Sequence, residues 1–106
     1  MVQHIHFLGL KAGVQPEQVE NLMVETRIRL LKISEIMNLR VGKRIDAAAD
    51  GYQVFFAFDT ESLAKLRVAE DEAVYIKFRH QILERFVERE TALNFEMEPG
   101  KDIAYS

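Results

Sequence analysis

The sequence predicts a single α+β domain in which helical segments alternate with four strands. Two runs, at 2–10 and 52–59, are rich in β-branched and aromatic residues, and two other segments carry apolar residues at helical spacing. Glycine and proline mark several of the junctions. With 106 residues the chain has the size of one ordinary domain, so residues 1–106 are treated as one unit.

The first part of the chain predicts a strand followed by a helix. Residues 2–10 read VQHIHFLGL, and residues 11–13 end in a glycine that suits a turn. Pro16 fits the first turn of a helix, where its missing N–H has no cost. Apolar residues then recur at helical spacing as far as Ile33, so one stripe of this helix faces a core.

The middle of the chain predicts two strands joined by a loop. Residues 37–45 (MNLRVGKRI) alternate apolar with polar positions, and residues 52–59 (YQVFFAFD) are the most strand-like run in the protein. The loop at 46–51 ends in Asp50-Gly51, a pair that readily reverses the chain. Asp59 or Thr60 is expected to cap the next helix.

The last part predicts two helical segments and a final strand. A short helix covers 61–70, Asp71-Glu72 interrupts it, and a second segment places Val74, Phe78, Ile82 and Phe86 on one face. The last strand is expected over 90–98, ended by Pro99-Gly100. The resulting order, βαββαβ, is that of a ferredoxin-like fold: a four-stranded antiparallel sheet with the helices on one face.

The two most apolar strands predict a second covered face, and therefore a homodimer. Within the first strand, Val2, His4, His6, Leu8 and Leu10 are expected to point one way and Ile5 and Phe7 the other. Within the third, Tyr52, Val54, Phe56 and Phe58 are expected to oppose Phe55 and Ala57. An uncovered apolar patch of this size is rare on a monomer, and the chain has no third layer to cover it. The alternative is a thicker monomer core.

Composition excludes several functional classes. The chain has no cysteine, so it has neither disulfides nor thiolate metal sites. Lys and Arg number 14 against 17 Asp and Glu, for a formal charge of −3, and no basic cluster predicts nucleic-acid binding. Apolar runs are too short to predict a membrane span. We expect a cytoplasmic protein.

His4 and His6 are the first candidates for chemistry. They lie two apart on a strand, so both rings project from one face, about 6.6 Å apart along it. A zinc site needs a third ligand, and the only other histidine, His80, lies on a helix; we therefore predict no metal and no cofactor. His4 could instead act as a general base in a cavity between sheet and helices, although a hydrogen-bonded core histidine is the commoner case.

Several short segments, in this order and spacing, match a known family over nearly the whole chain. They are His4-Ile5, LKAGV at 10–14 with Pro16-Glu17, Val41-Gly42, Gly51-Tyr52, Phe58 followed by Glu61-Ser62-Leu63, and the ending from Phe86-Val87-Glu88 to Leu93-Asn94-Phe95-Glu96. On these segments the chain resembles the stress-responsive A/B barrel (Dabb) family. The resemblance implies a ferredoxin-like fold and a homodimer whose two sheets form a dimeric α/β barrel.

The resemblance also bears on catalysis. A plant branch of the family acts as a cofactor-free polyketide cyclase, with a histidine on the first strand and a Tyr-x-x-His-Pro-x-His stretch beside the second helix. His4 matches the first of these, whereas the stretch falls on residues 69–75, where Ala69 replaces the tyrosine and Tyr75 the final histidine. The branch's third-strand histidine falls on Gln53.

Two functional hypotheses remain open. In the first, the protein is a non-catalytic dimeric module of unassigned activity whose cavity, between sheet and helices, binds either a small apolar or aromatic molecule or nothing. In the second, it is a cofactor-independent enzyme, similar to a polyketide cyclase, an isomerase or a monooxygenase, with His4 as general base and Tyr75 stabilising an oxyanion. The residues expected to line the ligand site are His6, Gln53, Phe55 and Phe78.

Overall fold

The computed structural model describes residues 1–46 and 50–98, and it has the predicted ferredoxin-like architecture. The strands are β1 (Val2–Leu10), β2 (Met37–Lys43), β3 (Val54–Thr60) and β4 (Val87–Glu96). The helices are α1 (Pro16–Leu30), α2 (Leu63–Asp71), α3 (Ala73–Phe78) and α4 (Glu84–Phe86), with a π-helical segment, Arg79–Leu83, between the last two. Parts of two predicted features, the loop at 46–51 and the stop at Pro99-Gly100, lie outside the described residues.

The four strands form one antiparallel sheet in the order β2-β3-β1-β4. β1 therefore pairs on both edges, with β3 on one side and β4 on the other. His4 lies opposite Phe58 on β3 and opposite Asn94 on β4. This register decides which side chains meet His4 and His6, because directly opposed residues point to the same face of a sheet.

The core lies between one face of the sheet and the helices. It is formed by the buried side chains of Leu8, Val54, Phe56, Phe58, Leu22, Leu30, Leu66, Tyr75, Phe78, Ile82, Leu83 and Phe86. Phe78, Ile82 and Phe86 of the predicted apolar helix face are buried as expected, while Val74 packs partly buried against them.

Element ends differ from the predictions where pairing or capping outweighs local propensity. The predicted caps of α2, Asp59 and Thr60, are wrong, because β3 continues to Thr60, which pairs with Val2. Ser62 caps this helix instead, its hydroxyl accepting the Lys65 N–H at 3.1 Å. β4 begins at Val87, three residues earlier than predicted, because Val87 pairs with Leu10 beyond a bulge at Gly9.

The opposite side of the sheet has no helix over it in the described chain, and we call it the open face. It carries Ile5, Phe7, Phe55, Ala57, Leu93 and Phe95. Leu93 is 42% exposed and Phe95 48% exposed. An apolar sheet face of this kind is characteristic of a binding or assembly surface. No helix within the described ranges is long and apolar enough to cross a membrane.

Candidate functional site

His4 and His6 both lie beneath the helices, on the buried face of the central strand β1. Only 2% of His4 and 4% of His6 is exposed. Aromatic rings of β3 pack against them: the His4 and Phe58 rings are 4.9 Å apart, and the His6 and Phe56 rings stack at 4.7 Å. The expectation that the two imidazoles share one face of the sheet is confirmed by this burial.

The two rings belong to a chain of hydrogen bonds that begins and ends on β4. Nδ1 of His4 lies 2.6 Å from Oδ1 of Asn94, and Nε2 of His4 lies 3.4 Å from Nδ1 of His6. Nε2 of His6 donates to the Glu90 carboxylate at 2.6 Å. All four ring nitrogens thus have a partner, as buried polar groups require.

Glu90 links this chain to the helical layer. Nη2 of Arg79, at the start of the π-helical segment, lies 3.4 Å from the carboxylate oxygen that His6 contacts. The Glu90 side chain is 31% exposed, so the chain of hydrogen bonds reaches solvent at Glu90. π-Helical turns often occur at functional sites because they displace side chains from regular helical spacing.

Burial sets the protonation state of His6. Desolvation lowers the pKa of His6 from 6.5 to about 4, and the hydrogen bond that His6 donates to Glu90 offsets this lowering only in part. His6 is therefore neutral at pH 7. Its Nε2 carries the hydrogen that the Glu90 carboxylate accepts, and its Nδ1 presents a lone pair to His4.

Tyr75 is also in the core, but its hydroxyl is unsatisfied. The residue is 2% exposed, and its Oη has no hydrogen-bond partner among the described residues. Burial, followed by the negative charge of Glu70, raises the pKa of Tyr75, so the phenol stays protonated. Ring contacts connect it to His4 through Phe78 and Phe56, at centroid distances of 6.0, 5.7 and 6.2 Å.

The ligand-site residues predicted from the sequence divide between two places. His6 and Phe78 lie in the core, whereas Gln53 and Phe55 line a cleft of about 620 Å³ at the β2–β3 end of the open face. The cleft is lined by Phe7, Lys43, Arg44, Ile45, Asp46, Asp50, Tyr52, Gln53, Val54 and Phe55. A Cβ atom at Gly42 would lie 2.6 Å from Cε1 of Phe55, so this glycine lets the Phe55 ring lie close over β2.

Tyr52 lies on the open face, although the alternation predicted that it would share a face with Val54. The prediction was wrong because β3 begins only at Val54, so the alternation of the strand does not extend back to residue 52. The Tyr52 ring lies 6.1 Å from that of Phe7, and its hydroxyl is 2.6 Å from Oγ1 of Thr91. The Arg89 guanidinium covers the ring at 5.7 Å.

Arg44 forms ion pairs with two aspartates that line the cleft. Its guanidinium contacts Asp46 at 2.7 Å and Asp50 at 2.6 Å. These hydrogen bonds lower the pKa of both carboxyls and raise that of Arg44. Asp50 also accepts the Tyr52 N–H at 3.1 Å, so it connects Arg44 to the aromatic side of the cleft.

Sequence reasoning missed Asn94, Glu90 and Arg79. The alternation of the last strand did predict that the Asn94 side chain points to the opposite face of the sheet from Leu93 and Phe95, and the structure agrees. Nothing local indicated that this face of β4 meets the histidines, because the pairing register of β1 and β4 joins residues about 90 positions apart. No group of three or more His, Asp or Glu side chains suited to a metal ion occurs within residues 1–46 and 50–98.

No protein-family model matches the chain, and a search of curated proteins also finds no match. Solved structures, by contrast, match it along almost its whole length. One is a Dabb family protein with a ferredoxin-like fold from Mesorhizobium loti, 15% identical, with a TM-score of 0.80, covering 92% of this chain and 97% of that one.

Two other structures are similar to the same extent. A dimeric ferredoxin-like protein of unknown function from Thermobifida fusca is 21% identical, with a TM-score of 0.79, covering 91% of this chain and 90% of its own. A hydroxynitrile lyase from Passiflora edulis is 18% identical, with a TM-score of 0.77, covering 92% and 96%.

The chain has the ferredoxin-like fold. The fold implied by the resemblance to the Dabb family is thereby confirmed, and a Dabb family protein is among the similar structures. Because these structures share no more than 21% of their residues with this chain, their similarity shows the architecture alone. The function depends on the residues of this chain.

The buried state of His6 predicts a loss of stability in acid. Because its pKa falls from 6.5 in the unfolded chain to about 4 in the folded one, the unfolded chain binds more protons between these values. The free energy of unfolding should therefore decrease as the pH is lowered through this window, by up to about 1.4 kcal/mol per pH unit from this group.

Urea denaturation at a series of pH values, at one protein concentration, measures this slope. His6→Phe keeps a ring against Phe56 but cannot titrate, so its profile should be flatter than that of the wild type over the same window. Equal slopes for the two proteins would show that His6 is not held neutral by the fold.

Proposed function

We propose that the protein is a Dabb-type homodimer in which two open faces pack against each other and enclose a site for a small apolar or aromatic molecule. The observation that carries this proposal is the apolar open face. Ile5 on the central strand stands in register with Ala57 and Leu93, and Phe7 with Phe55. Solved structures with the same fold include proteins described as dimeric, which supports the proposal.

The energetics favour apposition of two such faces. Each Å² of apolar surface removed from water contributes about 25 cal/mol, and stable interfaces bury about 800 Å² per partner. The open face offers large side chains that are otherwise half in water, among them Leu93, which is 42% exposed, and Phe95, which is 48% exposed.

The cleft supplies the ligand site of this proposal. It opens on the open face beside Phe7, Tyr52 and Phe55, so a dimer of open faces would close it. Three aromatic side chains favour a flat aromatic ligand through offset and edge contacts. The charges at its rim are already paired, Arg44 with Asp46 and Asp50 and Lys43 with Glu20, which favours an uncharged ligand.

Dimerisation is tested by light scattering coupled to size exclusion. We expect a species of about twice the chain mass of 12.3 kDa at micromolar concentration. Phe95→Asp should yield a folded monomer, because it places a carboxylate in the interface. Ile28→Asp, on α1 and equally exposed at 49% against 48%, is the matched control and should stay dimeric. A wild-type mass near 12.3 kDa would contradict the proposal.

Ligand binding is tested by fluorescence titration with 2-naphthol as an uncharged aromatic probe, under conditions in which the protein is dimeric. Tyr52→Ser removes one aromatic wall of the cleft and should weaken binding by about tenfold, in line with one lost aromatic contact. Tyr75→Phe, in the core, should leave the affinity unchanged. The reverse pattern would move the ligand site to the space between sheet and helices.

The Tyr75 hydroxyl favours a second candidate, the cofactor-independent enzyme. A buried hydroxyl without a partner is costly, and a substrate oxygen could accept its hydrogen. His4 would be the general base, and it would have to release Asn94 or His6 to accept a proton. A lyase that acts on hydroxynitriles has the same fold, which supports the choice of substrate class for a test.

Cyanide release from mandelonitrile, measured against buffer alone, tests this candidate. If the enzyme proposal holds, Tyr75→Phe should reduce the rate by about a hundredfold or more, as the loss of an oxyanion donor does. Tyr52→Phe keeps the ring and removes a hydroxyl outside the core, so it should retain the wild-type rate. A rate equal to that of buffer would exclude this substrate class.

A further inference from the structure

We propose that His4 and His6 form one buried proton-binding site, which takes up a single proton shared between the two rings as the Asn94 side-chain amide turns over. The inference does not depend on the proposed dimer, because the histidines lie on the opposite side of the sheet from the open face. It rests on the order of donors and acceptors along the chain from Asn94 to Glu90.

The observed arrangement is complete when the two rings carry three protons. Oδ1 of Asn94 can only accept, so Nδ1 of His4 carries a hydrogen; the Glu90 carboxylate can only accept, so Nε2 of His6 carries another. The 3.4 Å contact between Nε2 of His4 and Nδ1 of His6 then needs one further hydrogen between the two nitrogens. With it, the pair bears one positive charge, which balances Glu90.

A second complete arrangement has one proton fewer. If the Asn94 amide turns by 180°, its NH₂ group takes the place of Oδ1 and donates to Nδ1 of His4. Nε2 of His4 then carries the hydrogen and donates to Nδ1 of His6, while His6 still donates to Glu90. Both rings are neutral in this arrangement, and every ring nitrogen still has a partner.

The intermediate combinations are unfavourable, which is why proton and amide move together. Two ring protons with Oδ1 of Asn94 facing His4 leave two lone pairs opposed at 3.4 Å. Four ring protons would oppose two N–H groups at the same contact and place two charges beside a single carboxylate. The site therefore accepts one proton and excludes a second.

The charged groups around the two histidines are consistent with the uptake of a single proton. Glu90 approaches from β4 and Arg79 from the π-helical segment, and Tyr75 of α3 stays protonated. β3 contributes only the rings of Phe56 and Phe58. The nitrogen that gains a hydrogen between the two arrangements is Nδ1 of His4, beside Asn94. Glu90, at the other end of the hydrogen-bond chain and partly in solvent, supplies the negative charge that balances the added proton.

Imidazole nitrogen NMR on the wild-type protein across a pH series tests the proposal, since ¹⁵N shifts report which nitrogen carries hydrogen. At high pH we expect the Nε2–H form of both His4 and His6. On acidification the signals of both rings should change with one common midpoint and one proton in total. His80, exposed on the helical surface, serves as the internal reference for the ring signals.

Asn94→Asp makes the decisive variant, because a carboxylate cannot donate and so favours the three-proton arrangement. It should raise the common midpoint by at least about one pH unit, a tenfold gain in proton affinity, and convert neutral His4 toward its Nδ1–H form. Glu90→Gln should lower the midpoint, and His80 should not move in either variant.

Two separate midpoints for His4 and His6 with two protons taken up would overturn the proposal. So would a neutral His4 that carries its hydrogen on Nδ1 in the wild type. Both observations come from the wild-type protein alone, so they decide the matter even where a variant fails to fold.

Discussion

The pairing of β1 on both of its edges is the constraint on which the rest of the molecule depends. A strand held between β3 and β4 can direct each side chain only toward the helices or toward the open face. The alternation of residues 4–7 therefore assigns His4 and His6 to the core and Ile5 and Phe7 to the opposite surface. Side chains that are adjacent in the sequence are thus placed on opposite sides of a single sheet.

Two imidazoles in an apolar core are tolerated only because their polar atoms find partners. Phe56 and Phe58 cover the rings but offer no hydrogen bonds. β4 supplies Asn94 and Glu90 instead, and it can do so because it is an edge strand whose polar side chains also reach solvent. The histidines are thus satisfied at both ends from one strand, while the Tyr75 hydroxyl, farther under the helices, finds no such partner in the described chain.

Much of the architecture was predictable from local patterns, because alternation and helical spacing report burial directly. The bounds of β1, the two-sided apolar strands and the shared face of His4 and His6 follow from such patterns. The partners of the histidines do not, since they depend on a register between distant strands that no local signal specifies. The position of Tyr52 could not be predicted for a related reason. Alternation predicts the direction of a side chain only within a strand, and β3 begins two residues after Tyr52. The capping of α2 by Ser62 likewise depends on how far β3 continues in its pairing with β1.

The position of the cleft links ligand binding to assembly in the proposed dimer. A ligand among Phe7, Tyr52 and Phe55 would lie in the plane where two open faces meet, so it would fill space that the two sheets must otherwise close or leave as a cavity. A ligand that binds the dimer more tightly than the monomer necessarily shifts the equilibrium toward the dimer, by mass action. The core offers no comparable coupling, because the polar atoms of His4 and His6 are engaged with one another and with β4. In the proposed dimer, the open face is therefore the surface on which ligand and partner would act on each other, whereas the two histidines lie on the buried face.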